Sequence, residues 1–172
     1  MTVRQAVKPL VHHEFDSRRL EAVFDRCFRV AHRTRLIGGA GEPFYRPEPA
    51  AGGCHQLHYR EDFFASALHE TAHWCIAGEK RRQLPDFGYW YDPDGRDPAA
   101  QAAFQRVESK PQALEWIFSQ ACGYPFQVSL DNLETDAALT SESFARQVAL
   151  EATEMRARGL PLRAQVFFDA LS

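Results

Sequence analysis

The chain has 172 residues, of which 45% are hydrophobic and 25% are charged, and its formal net charge is -3. These values are typical of an ordinary globular protein, so they argue against a disordered or membrane-spanning class, and we expect one domain over residues 1–172. The small negative charge gives no broad attraction for nucleic acid, so we predict neither a nucleic-acid partner nor a membrane partner.

The first predicted element is an amphipathic helix that begins after Asp16. In the stretch DSRRLEAVFDRCFRVAHRTRLIGG, apolar residues recur at steps of three and four, which is the period of a helix with one buried face. Asp16 or Ser17 can cap its first turn, and Gly38 with Gly39 is predicted to stop it. Prolines and glycine pairs then predict a long loop over Gly38–Cys54.

A short strand and a second helix are predicted next. The stretch CHQLHYR predicts a strand over Cys54–Arg60. Asp62 is then predicted to cap a helix over Phe63–Ala77, and Gly78 follows its end.

The second half of the chain predicts more helix than strand. Asp86–Tyr91 and the stretch YPFQVSL predict strands, whereas a helical region begins near Ala99 and is interrupted or restarted at Pro111. Ser141–Arg158 predicts a well-formed helix, and AQVFFDALS predicts a short terminal one. Together these elements indicate an α+β fold that is mostly helical and contains a small sheet.

The motif HETAH lies inside the second predicted helix and places His69 and His73 four residues apart, with Glu70 beside the first. Because each helical residue advances by about 100°, the two histidines share a face and can direct both imidazoles at one ion. Small and apolar neighbours form a dry wall, in which two buried histidines with nothing to bind would be costly. We therefore predict a zincin-like metal-binding helix.

A catalytic ion usually takes a third protein ligand, and the sequence offers several. Glu108 and Glu115 are seven residues apart and share a face if their helix is continuous, so one can bind the ion while the other orients a ligand. We favour Glu108, because a kink or helix start at Pro111 would direct a residue just upstream into the cleft. Glu115 stays open as the alternative, and His55 and His58 are further candidates.

Longer stretches carry a resemblance to a known family. The run ALHETAHWCIAGEKRRQLPDFGYWYDPDGRD, followed by VESKPQALEWIF and GYPFQVSLDNL, resembles the bacterial elongation factor P hydroxylase family, most clearly over Asp62–Leu133. These joined stretches are far more specific than the His-Glu-x-x-His pattern, which many metallopeptidases share.

The resemblance implies a cytoplasmic enzyme that hydroxylates the β-lysylated lysine of translation elongation factor P, with O2 as co-substrate. The metal ligands of the family would fall on His69, His73 and Glu108. Inserting oxygen into an unactivated C–H bond needs a redox-active ion, and two histidines with one carboxylate is an arrangement that non-haem Fe(II) oxygenases use. Glu70 would then be a proton donor or acceptor, or an anchor for a ligand, rather than a ligand itself.

Other functions remain open from the residues alone. In a zinc-dependent metallopeptidase, the same three ligands would hold Zn(II) and Glu70 would activate a water molecule. A binding domain with a structural metal is less favoured, because structural zinc sites normally have four protein ligands. The sequence assigns no electron donor, and 2-oxoglutarate is not a predicted cofactor, because its familiar hydroxylases use a β-rich jelly roll.

The compartment and the substrate entrance are predicted from composition. The amino-terminal stretch lacks the apolar core of a secretory signal, and the four cysteines form no Cys-x-x-Cys pair, which fits thiols in a reducing cytoplasm. A long cationic lysine side chain favours an acidic, aromatic entrance, for which Asp86–Asp97 is the best candidate.

Overall fold

The computed structural model describes residues 15–86, 98–130 and 137–172. These ranges contain five α-helices, three strands and one short 3₁₀ turn, which confirms the mostly helical α+β prediction. The helices are α1 Ser17–Phe28, α2 Phe64–Ile76, α3 Pro98–Cys122, α4 Ala137–Arg158 and α5 Leu162–Leu171, the strands are β1 Thr34–Ala40, β2 Phe44–Arg46 and β3 His55–Arg60, and the 3₁₀ turn is Arg81–Gln83.

Helix α1 is capped as predicted but ends earlier. The Asp16 carboxylate accepts a hydrogen bond from the Arg18 N–H at 3.0 Å, and the buried face of the helix points into the core. Beyond the helix, Arg33 has a φ of 49°, and the chain changes from a helical period to the alternating burial of a strand. The prediction that the helix runs on to Gly38 is therefore wrong.

Strand β1 includes the glycine that was predicted to stop the helix. A Cβ on Gly38 would lie 2.6 Å from the Tyr59 hydroxyl, so the close approach of β1 to this ring requires glycine. The Gly38 N–H also donates to the Glu21 carboxylate of α1 at 2.9 Å. Gly38 thus joins the sheet to α1.

The three strands form one sheet in the order β1, β3, β2. Strand β1 is parallel to the central strand β3, and β2 is antiparallel to it. Leu57 of β3 pairs with Leu36 on one side and Tyr45 on the other, and all three side chains are buried. The strand predicted over Cys54–Arg60 is confirmed, but β2 lies inside the predicted loop.

Helix α2 has nearly the predicted bounds but not the predicted cap. Its N-cap is Phe63, and no side chain caps the first turn. Asp62 lies one residue too early to act as the N-cap, so that prediction is wrong.

Helix α3 runs without a break through Pro111, so the interruption predicted there does not occur. The segment after it, predicted as a strand, has no regular structure. Instead, the Gln112 side chain donates to the Ser129 carbonyl at 2.8 Å and accepts from its N–H at 3.0 Å. A side-chain amide thus bonds the backbone groups that a partner strand would otherwise bond.

The remaining predicted elements have three different outcomes. Of the predicted strand Asp86–Tyr91, only Asp86 is described, and it forms an isolated antiparallel bridge with Tyr45, while the rest lies outside the described residues. Helix α4 begins four residues before the predicted Ser141, and the predicted terminal helix is confirmed as α5. No described helix is both long and apolar enough to cross a bilayer.

Replacing Asp16 with Ala is expected to lower the free energy of unfolding by about 1 kcal/mol, because the first turn of α1 loses its side-chain acceptor. Asp62→Ala is the matched control: it should change that free energy by less than about 0.5 kcal/mol, because Asp62 is exposed and caps nothing. Urea unfolding of both variants measures the difference. Equal losses would contradict the assignment of the cap.

Candidate metal centre

The two histidines of α2 face α3, which packs beside it. His69 and His73 are one turn apart, and their side chains are 25% and 28% exposed. The opposite face of α2 is buried, with Ala67, Leu68 and Ala72 fully enclosed in the core. This burial fixes the rotation of α2 about its axis, so both imidazoles point towards the same part of α3.

The Glu108 carboxylate of α3 reaches both imidazoles. Its oxygens lie 3.4 Å from His69 Nε2 and 3.3 Å from His73 Nε2, and these two nitrogens are 3.0 Å apart. Each of the three residues offers one ligand atom, and these atoms all lie within 4.8 Å of one another. The three residues that were predicted as metal ligands therefore lie together in the fold.

The separations between neighbouring donor atoms of these three residues fit a single metal ion. Two donor atoms that are each about 2.1 Å from one ion lie about 3.0 Å apart at an angle of about 90°, and about 3.4 Å apart at about 110°. The two imidazole nitrogens are 3.0 Å apart, Glu108 Oε2 lies 3.4 Å from His69 Nε2, and Glu108 Oε1 lies 3.3 Å from His73 Nε2, so each of these neighbouring pairs falls in this range. Imidazole nitrogens and a carboxylate also suit first-row transition metals, so the donor set fits as well as the spacing.

Glu115 meets the other ring nitrogen of His69. Its Oε2 lies 2.8 Å from His69 Nδ1, and Glu115 is about two turns along α3 from Glu108. A carboxylate acceptor at Nδ1 favours the tautomer that carries its proton there, which leaves the Nε2 lone pair directed at Glu108 and His73. The two glutamates of α3 therefore lie on opposite sides of one imidazole.

The charges of the site are strongly coupled. Burial alone would raise the pKa of Glu108, but hydrogen bonds from His69 and His73 hold that pKa well below its usual range. Burial alone would lower the pKa of His69, but its bonds to Glu108 and Glu115 raise that pKa well above its usual value. These contacts favour a proton on the imidazole, so an ion that binds here has to compete with that proton.

A cleft of about 320 Å³ opens at these three side chains. Glu70 lies on its wall, partly exposed, and burial is the main cause that raises the pKa of this carboxyl group. At the rim, Arg81 pairs with Asp86 at 2.7 Å. The remaining wall is largely apolar or aromatic and includes Pro43, Phe44, Tyr45, Leu57, Trp74, Ile76, Val107 and Pro111.

The other candidate ligands lie elsewhere. His55 Nδ1 accepts a hydrogen bond from the Glu48 N–H at 2.8 Å, and the His58 ring stacks on Phe44 with centroids 4.1 Å apart. Cys54 is a free thiol outside the cluster. Within the described ranges, His69, His73 and Glu108 form the one group close enough to share an ion.

Sequence reasoning missed one wall of the cleft. Tyr45 had been assigned to a loop, yet it is buried in β2, and its hydroxyl donates to the Arg82 carbonyl at 3.0 Å. The alternation of Phe44, Tyr45 and Arg46 was the available signal, but three residues between prolines are too few to predict a strand.

The fold and the site thus define a mainly helical protein with a cluster of two histidines and one carboxylate in a cleft. A family model described as "Elongation factor P hydroxylase" matches residues 23–172. A relative from Haemophilus influenzae, named elongation factor P lysine hydroxylase, is 43% identical over 150 residues, which cover 87% of this chain and 84% of the relative. The chain belongs to the elongation factor P hydroxylase family.

Proposed function

We propose that this chain is a monooxygenase-type protein-lysine hydroxylase that acts on the β-lysylated lysine of translation elongation factor P in the cytoplasm. Family membership and the name of the Haemophilus influenzae relative support the reaction and the protein substrate. The observation that carries the proposal is the convergence of His69, His73 and Glu108 at the floor of an open cleft.

Fe(II) is the ion that we assign to these three residues. A redox-active ion at this position would supply the O2 chemistry that insertion into a C–H bond requires, whereas zinc has no accessible redox change. One oxygen atom of O2 becomes the lysine hydroxyl and the other leaves as water. A reductant supplies the two electrons that this reduction to water requires. The comparisons give no support to the zinc-peptidase alternative.

The protein side chains would have four separate tasks in this reaction. Glu108 and the two histidines hold the ion, with α2 as the metal-binding helix, and Glu115 orients His69 through Nδ1. Glu70 stands beside the ligands on the cleft wall and accepts or donates a proton in the reaction. The aromatic and apolar wall excludes water around the lysine side chain.

The test is a mass measurement on β-lysylated elongation factor P. The chain is loaded anaerobically with Fe(II), supplied with a chemical reductant, and divided into samples with and without O2. We expect the substrate to gain one oxygen atom only when Fe(II) and O2 are both present, and His73→Ala to abolish the gain. An unchanged mass with all components present would contradict the proposal, and peptide cleavage by the Zn(II)-loaded chain under nitrogen would favour the peptidase.

A further inference from the structure

The last turn of α2, which carries His73, ends against a side chain from α5. Arg163 Nη2 donates to the carbonyl oxygens of Trp74, Cys75 and Ala77 at 3.0, 3.1 and 2.5 Å. The carbonyls at a helix C-terminus have no donor inside the helix, so a partner from elsewhere has to supply one. Arg163 supplies it for α2 from almost 90 residues further along the chain.

The Arg163 hydrogen bonds replace the usual C-terminal cap of a helix. The C-cap Ala77 has a φ of -57° and a ψ of 127°, so α2 does not end in the left-handed turn that would bond its last carbonyls within the chain. The positive guanidinium also lies at the negative end of the helix dipole, which is a favourable position for it. The C-terminus of α2 is therefore capped by a tertiary contact from α5.

Arg163 holds the ring of Trp74 as well as its carbonyl. The guanidinium carbon lies 4.8 Å from the centre of the indole, which is 3% exposed and forms part of the cleft wall. Arg163 Nε is buried without a hydrogen-bond partner in the described part of the chain, which is a cost that the three carbonyl contacts offset. The arginine is thus fixed on both the backbone and the side chain of the residue that follows His73.

We propose that Arg163 is a positioning residue for the metal centre, acting through the last turn of α2 on the imidazole of His73. A metal ligand tolerates a displacement of only about 0.5 Å, and residues that orient ligands typically contribute about 10- to 100-fold to metal affinity. The inference rests on the proposed function only in requiring that the three-residue site binds a metal. It needs no assumption about the substrate.

The test uses Co(II) as a spectroscopic probe of the full-length chain. We expect Arg163→Ala to bind Co(II) about 10- to 100-fold more weakly than the wild type in a competition titration with a chromogenic chelator. Its visible Co(II) bands should shift, because the His73 nitrogen no longer has a fixed direction. Arg163→Lys should be intermediate, since a lysine keeps the charge at the helix end but lacks the planar guanidinium that lies over the Trp74 ring.

A core variant separates positioning from general loss of stability. Val148 is fully buried in α4, which supplies neither a metal ligand nor a hydrogen bond to the α2 carbonyls, so Val148→Ala should lower the melting temperature and leave Co(II) affinity and bands unchanged. Arg163→Ala with wild-type affinity and bands would overturn the inference. If that variant does not fold, wild-type Co(II) binding by Arg163→Gln would overturn it, whereas a wild-type chain that binds no Co(II) would contradict the metal site itself.

Discussion

Replacing Glu108 with Gln is expected to abolish retention of the metal after gel filtration. Among the described residues, Glu108 is the one carboxylate that reaches Nε2 of both histidines, and its side chain is only 5% exposed, so no water or neighbouring acid can take its place easily. A neutral amide is a poor ligand for a divalent ion and removes the charge that compensates it. Metal content measured by atomic emission after anaerobic loading with Fe(II) tests this.

The same measurement on Glu115→Gln distinguishes the two glutamates of α3. Because Glu115 contacts Nδ1 of His69, its loss should weaken metal binding by about 10- to 100-fold without abolishing it. Glu142→Gln, an exposed glutamate on α4, is the control that should retain the metal as the wild type does. Complete loss in Glu115→Gln together with retention in Glu108→Gln would reverse the assignment of the third ligand.

Replacing Glu70 with Gln should lower the turnover number for lysine hydroxylation by about 100- to 10,000-fold, which is the usual contribution of a group that transfers a proton. Its carboxyl group lies on the cleft wall beside the ligands, where burial raises its pKa. The amide keeps the size of the side chain but cannot exchange that proton. Metal retention should stay at the wild-type level, because Glu70 does not belong to the ligand group.

Turnover and metal content therefore have to be measured on the same samples of Glu70→Gln. Glu79→Gln is the matched control, because Glu79 is exposed just beyond the end of α2 and lies outside the metal cleft. Wild-type turnover in Glu70→Gln would show that this carboxylate transfers no proton in the reaction. Loss of the metal would instead show that it supports the ligands.

The histidine pair could be predicted from the sequence because its geometry is local. His69 and His73 are one helical turn apart, and the apolar neighbours alone indicated which face of the helix is buried. The choice between Glu108 and Glu115 was different, because both lie on the same face of α3. Which ring nitrogen each one meets depends on how α3 packs against α2, and no local pattern records that packing.

The errors in the fold have the same origin. The apolar residues after Phe28 continue the steps of α1, but the backbone turns at Arg33 and pairs β1 with β3, some twenty residues away. The stretch after α3 has the alternating apolar pattern of a strand, yet its backbone is hydrogen-bonded by the Gln112 side chain rather than by a partner strand. Sequence periodicity shows which residues prefer burial, whereas pairing between distant segments determines the secondary structure that they adopt.

Helix α3 is continuous, but Pro111 removes one of its backbone hydrogen bonds. Proline has no N–H, so the Val107 carbonyl cannot receive the regular helical hydrogen bond from this position, and both residues border the cleft. Pro111 lies between Glu108 and Glu115, the two acids that meet opposite nitrogens of His69. The helix therefore bends at this position at a lower energetic cost than an uninterrupted helix would, and the bend lies between the acid that meets Nε2 of His69 and the acid that meets its Nδ1.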